Sequence, residues 1–332
     1  MRRILLIFLI LGLTSCEKVL FEPDLATSDP LKNFDYLWNE VDRKYSYFEL
    51  KNIDWNQVRD TYRPMLSANS TDEELFNVLA AMLNSLRDDH TNLISSFNVS
   101  HFNVALRSPE NYHDRTIEEY YIPNAWRTGS LKHDFLSNGD VGYIRYQSFA
   151  LGFGESQMDL VLNRYRNTKG LIIDLRENGG GSIFNVPKLL GRFVETKTQV
   201  GYSITRNGPE HSDFGDPENF YITPSERVRY LKPVIVLIDR GSFSATTFFA
   251  LATKAFPNII LMGDTTGGGG GLPNGGQLPN GWSYRFSISQ LLDLSGNNYA
   301  EDGVPADIEV AFDWTDLTKD EIIEKAIDEI TK

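Results

Sequence analysis

Two serines two residues apart, Ser242 and Ser244 in RGSFSATTFFA, stand between an apolar run and a helical pattern. In open α/β sheets ligands sit beyond the carboxyl ends of the strands, so a strand-to-helix turn is where a reactive side chain becomes exposed. The run VIVLID ends at Asp239, and Ser244 falls where the next helix begins, near amide hydrogens that have no acceptor inside that helix. Serine is also a favoured N-cap, and the residues alone leave both roles open. The elbow G-x-S-x-G does not decide between them, because Thr246 stands where that pattern has glycine. A serine hydroxyl needs a positioned base to attack a carbonyl. Among the five histidines, His90 is set apart: in LRDDHTNL it ends a helix stripe between acids and Thr91, where a helix C-terminus favours a protonated imidazole. Capping is open to His90 too. A second turn, LIIDLRENGGGS, places Asn178, Gly179, Gly180 and Gly181 after an apolar strand pattern. Glycines there let backbone amides approach developing negative charge.

Other chemistries lack their residues. His101, His113, His133 and His211 are scattered, no H-E-x-x-H occurs, and no metal is expected. The glycine run GDTTGGGGGLPNGG has neither the G-K-[ST] ending of a phosphate loop nor the G-x-G-x-x-G spacing, so no nucleotide cofactor is expected. A formal net charge of −13 and the lack of a basic stripe argue against nucleic acid as a partner.

These residues must be positioned by a sizeable fold, and 332 residues with 41% hydrophobic content can bury one. LKNFDYLWNEVDRKYSYF carries Leu31, Phe34, Leu37, Trp38, Val41 and Tyr45 on one helix face. TDEELFNVLAAMLNSLRD adds a capping box, Thr71 with Glu74, ahead of the stripe Leu75, Val78, Leu79, Met82, Leu83 and Leu86. Residues 31–95 therefore read as a small helical domain. Residues 96–140 show no assignable pattern and are expected to be an irregular connection. From 141 to 332, apolar runs alternate with helical stretches: VGYIRY, GLIIDL, PVIVLID and NIILMG, with FNVPKLLGRFV and SATTFFALATKAF among the helices. That alternation predicts an α/β class with a buried, largely parallel sheet. LTKDEIIEKAIDEI predicts a terminal amphipathic helix capped by Thr318.

The N-terminus reads as a targeting segment. Arg2 and Arg3 precede ILLIFLILGL, which is too short to span a bilayer, and LTSC resembles the lipobox of bacterial lipoprotein signals. Residues 1–16 are expected to be a lipoprotein signal with Cys16, the chain's single cysteine, as the lipidation site, and 17–30 a linker. The expected location is the bacterial envelope, lipid-anchored and facing the periplasm or the cell surface.

Together, LRDDHT, GLIIDLRENGGG, PVIVLIDRGSFSATT, GDTTGGG and EDGVPADIEV resemble, in order, the five motif elements of the tail-specific protease family, which includes C-terminal processing peptidases and the tricorn core. The resemblance implies a crotonase/ClpP-like layered core of strand, strand and helix beside a small helical N-terminal domain. It implies Ser244 as nucleophile, Ser242 as a turn residue, and an oxyanion hole from the amides of Ala245 and Gly180. The processing peptidases place a base lysine where this chain has Gly269, and no lysine lies between Lys254 and Lys319. The tricorn-like branch uses histidine with a glutamate behind it, and His90 and Glu301 occupy the matching elements; Asp302 is the neighbouring alternative to Glu301. About fifty residues separate His90 from Val141, too few for the PDZ module of the processing peptidases. The resemblance implies an envelope-anchored serine endopeptidase acting on peptides or unfolded segments, with a base ionising near ~6.5. The alternative is a non-catalytic binding lipoprotein, for a peptide or hydrophobic ligand, on the same fold.

Overall fold

The computed structural model describes residues 25–102 and 110–332. Cys16 and the signal segment lie outside the described residues.

Three α-helices come first among the described residues: α1 (Pro30–Lys44), α2 (Trp55–Tyr62) and α3 (Asp72–Asn84). Each begins where a side chain takes up orphan amides, Asp29 for α1, Asp54 for α2 and Thr71 for α3. Both arms of the Thr71–Glu74 capping box are made. α1 and α2 are locked by reciprocal bonds: the Trp38 indole donates to Trp55 O and the Trp55 indole to Trp38 O, each at 3.1 Å, with the rings stacked.

The next strands are β1 (Asn92–Ile94), β2 (Val99–His101), β3 (Trp126–Thr128), β4 (Leu131–Leu136) and β5 (Val141–Tyr146), followed by α4 (Glu155–Arg164) and β6 (Gly170–Asp174). Then come α5 (Asn185–Leu190), β7 (Thr198–Thr205), β8 (Glu218–Ile222), β9 (Val234–Ile238), α6 (Ala245–Thr253) and β10 (Ile259–Gly263). The chain ends with β11 (Pro273–Gln277), β12 (Ser283–Ser287), β13 (Ser289–Leu292), β14 (Ile308–Glu309) and α7 (Glu321–Thr331).

The central sheet has the order β14-β10-β9-β6-β5-β4-β3. It is parallel from β14 to β5 and antiparallel at β4 and β3. β5, β6 and β9 are buried along their whole lengths, as the uninterrupted apolar runs require of a sheet covered on both faces. One face packs Val161, Leu189 and Phe249 from α4, α5 and α6; the other packs Ile322, Ile323 and Ala326 from α7. The class is α/β, as the alternation implies.

Two details differ from the sequence reading. Residues 96–140 are not simply an irregular connection, because β3 and β4 extend the central sheet from within them. Three-residue β3 and the mixed LKHDFL of β4 are too short or too polar to stand out by periodicity. At the C-terminal helix, Asp320 and not Thr318 is the cap: its carboxylate accepts from the amides of Ile322 and Ile323, while Thr318 bonds Asp316. Asp320 also receives Arg176 Nη1 at 2.9 Å, tying α7 to the turn after β6.

The helical unit does not end at residue 95 in space. Phe34, Leu37, Leu79 and Leu83 share one apolar cluster with Leu278, Trp282, Tyr284 and Phe286, on and around β11 and β12. β12 pairs with β1 as well as with β11, so a late hairpin clamps the early helices against the core.

Candidate active site

The Ser244 turn is built first by its backbone. Ser244 directly precedes α6 at φ 59°, ψ −115°, a region that costs a non-glycine residue free energy unless its surroundings enforce it. They do. Its amide donates to Gly268 O at 3.0 Å, Phe243 N donates to Asn178 O at 3.0 Å, and Thr247 Oγ1 donates to Gly268 O at 2.6 Å. The Ser244 side chain makes no capping bond to α6. Its Oγ instead lies 3.0 Å from His90 Nε2. Of the two roles open to this serine, the geometry occupies the one facing the imidazole.

Ser242, buried behind it, is a knot between two turns. Its Oγ donates to Leu175 O at 2.8 Å and lies 3.2 Å from Asp239 Oδ1, and its amide reaches the same carboxyl oxygen. Asp239 Oδ1 also accepts from Glu177 N at 2.8 Å, so one carboxyl holds both the Ser244 turn and the glycine turn. Burial pushes that carboxyl up to about 7.

Gly180 lies against the Ser244 turn so closely that a Cβ on it would meet Phe243 O at 2.6 Å and Ala245 N at 2.9 Å, and its φ is +89°. Only glycine permits that approach. The Gly180 amide itself donates to Asn178 Oδ1 at 3.0 Å. Ala245, as the first residue of α6, has no acceptor for its amide inside the helix. Gly181 joins Ser244 and Ala245 in the wall of a cavity of ≈ 120 Å³, whose apolar lining includes Ile183, Phe220, Phe248 and Leu291.

His90 arrives from the other side, on the loop between α3 and β1. An Asx turn sets it: Asp88 Oδ1 accepts from His90 N at 2.8 Å. The ring packs on Phe243, centroids 4.9 Å apart. It is not at a helix C-terminus, since α3 stops at Asn84. Burial lowers its pKa from the ordinary 6.5 to about 4; Asp88 opposes that shift, and the charges of Arg285 and Lys51 add to it. This corrects the expectation of an ionisation near the free-imidazole value, and a neutral ring is the form able to take a proton. Nδ1 is buried and has no hydrogen-bond partner among the described residues.

Glu301 is not brought to that Nδ1. Its carboxylate pairs with Lys51 Nζ, which also donates to Leu86 O and Arg87 O at 2.9 Å each. Three acceptors satisfy the three donors of an ammonium, which leaves this remote lysine no free role on Ser244. Burial raises the Glu301 pKa, with Lys51 opposing and Asp88 adding to the rise. Asp302 is exposed, and its backbone carbonyl accepts from Arg240 at 2.8 Å. Gly269 could not carry a lysine in this conformation: φ is +72°, and a Cβ would meet the Phe243 ring at 2.4 Å.

Asp88 is signalled by its place in LRDDHT, but Lys51 and Arg285 stand by the imidazole without a signal in the sequence that links them to it. Lys51 lies in a turn after α1, and Arg285 reaches the site only through the β12–β1 pairing. Among the described residues no group of three or more His, Cys, Asp or Glu side chains stands together as a metal cluster.

Residues 140–310 match the model of peptidase family S41, and residues 28–84 that of the tricorn protease C1 domain. The carboxy-terminal processing protease CtpB of Bacillus subtilis (strain 168) is 29% identical over 174 residues, covering 51% of this chain and 34% of the relative. The tail-specific protease of Haemophilus influenzae (strain ATCC 51907 / DSM 11121 / KW20 / Rd) is 26% identical, covering 55% and 26%. The matched segment thus spans about a third or less of these relatives' lengths. Among solved structures, a candidate peptidase from Parabacteroides merdae ATCC 43184 superposes with a TM-score of 0.87 at 38% identity, covering 92% of this chain and 98% of that one. Mature CPAF shares the fold, with a TM-score of 0.68 at 14% identity over 91% of this chain and 96% of its own.

Proposed function

The chain belongs to peptidase family S41, and from that premise we propose that it is a serine endopeptidase hydrolysing peptides or unfolded protein segments, anchored to the bacterial envelope by lipid on Cys16. The observation that carries the catalytic reading is the 3.0 Å approach of His90 Nε2 to Ser244 Oγ at the mouth of an apolar cavity.

In this reading neutral His90 takes the Ser244 proton as Oγ attacks the substrate carbonyl, and returns it to the leaving amine as that C–N bond breaks. The Ala245 amide is one donor to the oxyanion. The glycine turn supplies the second, from Gly180 if Asn178 releases it or from Gly181 beside it. Water then repeats the sequence on the acyl-serine. Glu301 is the acid of the arrangement, acting behind the imidazole through the charge cluster it forms with Lys51 and Asp88 and not by a direct bond to Nδ1.

The anchoring part rests on the LTSC pattern and the charged, apolar segment before it. Among the described residues no helix is long and apolar enough to cross a membrane. Mass spectrometry of the mature N-terminus checks it: a multiply acylated Cys16 is expected, and an unmodified terminus elsewhere contradicts the anchor. For the activity, a fluorophosphonate probe should label the wild-type protein at Ser244. A folded protein that is never labelled loses the enzyme reading to that of a binding protein on a peptidase fold.

A further inference from the structure

Among the described residues, Arg285 is the one arginine lining the cavity at Ser244. It sits in β12, where its Cα lies opposite Asn92 of β1 on one side and Gly275 of β11 on the other. Asn92 follows His90 by two residues, so this pairing brings the guanidinium to the base. The side chain is exposed and shares the cavity wall with Ser244, Ala245, Phe248 and Leu291. Its charge is felt at His90, where it helps to lower the imidazole pKa.

Most described arginines of this acidic chain are bonded; exposed Arg43, Arg127 and Arg166 are open like Arg285, but none of these three lines the cavity. Arg176 lies between Asp174 and Asp320, Arg192 between Glu155 and Asp159, and Arg63 on Asp35. Arg240, near the site, donates to the carbonyls of Thr266 and Asp302. Arg285 has no ion pair and no side-chain hydrogen bond among the described residues, although the chain carries 45 acidic residues against 32 basic ones. A guanidinium is a rigid fork of donors matched to a carboxylate. One left open in the wall that holds the nucleophile faces whatever enters the cleft.

We infer that Arg285 is a specificity residue that binds a substrate carboxylate within a residue or two of the scissile bond. The inference rests on the peptidase reading above. The carboxylate has two sources, the side chain of Asp or Glu, or the free end of a chain cut close to its C-terminus. Either would pair with the guanidinium while an apolar neighbouring side chain fills the cavity beside Phe220 and Phe248. Pairing would also offset a positive charge that disfavours the imidazolium, so the bound carboxylate makes His90 a stronger base when it is needed.

The test is a cleavage map of denatured casein by mass spectrometry, for wild type, Arg285→Gln and Arg285→Lys, with melting temperatures measured alongside. Wild type should favour bonds flanked by Asp or Glu, or bonds next to chain ends; the first pattern identifies the side-chain source and the second the terminal one. Peptides made as Glu/Gln pairs and as C-terminal acid/amide pairs around the mapped bond give the magnitude. The carboxylate form should have a kcat/KM about tenfold higher in wild type, mostly through KM, the scale of one charged hydrogen bond. Arg285→Gln should erase that ratio and Arg285→Lys should keep part of it. The pH limb of His90 should move up in Arg285→Gln, which a merely structural role would not do. A wild type that takes fluorophosphonate and cuts casein with no carboxylate preference overturns this inference alone, as does an Arg285→Gln map identical to wild type. A wild type that neither labels nor cuts overturns the peptidase reading and this inference with it.

Discussion

On the Ser244 side of the site nearly every polar atom is bonded. Ser242, Asn178, Thr246, Thr247 and Asp239 stitch the Ser244 turn to the glycine turn and to the loop of Gly268, and Asp239 Oδ2 is the exception. On the His90 side, Tyr47 Oη, Asp88 Oδ2, His90 Nδ1 and Thr91 Oγ1 are all buried without a hydrogen-bond partner among the described residues. Buried polar atoms left open are costly and uncommon, so the difference carries meaning. A nucleophile must not move, and a backbone held at positive φ needs a saturated network around it. A base must change charge, and the Asp88 carboxylate is the neighbour whose charge favours the imidazolium. Asp88 is already placed for this: one of its oxygens fixes the His90 backbone and the other is unused.

Removing the Ser244 hydroxyl should have the largest effect. Ser244→Ala should abolish fluorophosphonate labelling and peptide hydrolysis while the melting temperature stays within a few degrees, since the side chain caps nothing. Retained hydrolysis would place the nucleophile elsewhere. Next is the base: His90→Ala should lower kcat by roughly 10² to 10⁴, the range for general base catalysis. A near-wild-type kcat with Ser244 still essential would break the comparison at its second half.

Ser242→Ala tests the saturated side from within. It leaves Leu175 O and Asp239 Oδ1 each short of a partner, a cost of about 1–3 kcal/mol in stability, so the melting temperature should fall while measurable activity remains. A loss as complete as that of Ser244→Ala would make Ser242 part of the chemistry. The smallest effects belong to the acids. Glu301→Gln should cost less in kcat than His90→Ala, because the carboxylate rests on Lys51 and not on the imidazole, and Asp302→Asn, exposed, should cost less again. Steady-state kinetics of the two variants rank them; the reverse order would move the acid to Asp302.

What could be read from the sequence follows the same division. The nucleophile turn is contiguous: VIVLID, Ser242 and Ser244 lie within a dozen residues of one strand-to-helix turn, and the fully buried strands announce themselves as apolar runs. The resemblance could pair Ser244 with His90 across the chain, but it could not supply the burial that takes the imidazole to about 4. Lys51 and Arg285 were illegible for a plainer reason. Arg285 acts at His90 only because β12 pairs with β1, across nearly two hundred residues, and Lys51 only because it folds back from the turn after α1 onto the carbonyls of Leu86 and Arg87; no local pattern encodes either contact. β3 and β4 were missed because three residues, or six with mixed polarity, carry too little periodicity.

The most direct measurement of the central claim is the pH dependence of Ser244 phosphonylation by a neutral fluorophosphonate, in wild type and in His90→Ala. Because His90 acts only when neutral, and its pKa is lowered to about 4, the wild-type rate should rise with pH through about 4 and be level well below neutrality. His90→Ala should lose that limb together with most of the rate. A wild-type limb at or above the ordinary imidazole value of 6.5, or one that survives in His90→Ala, would contradict the assignment of a buried, neutral His90 as the base for Ser244.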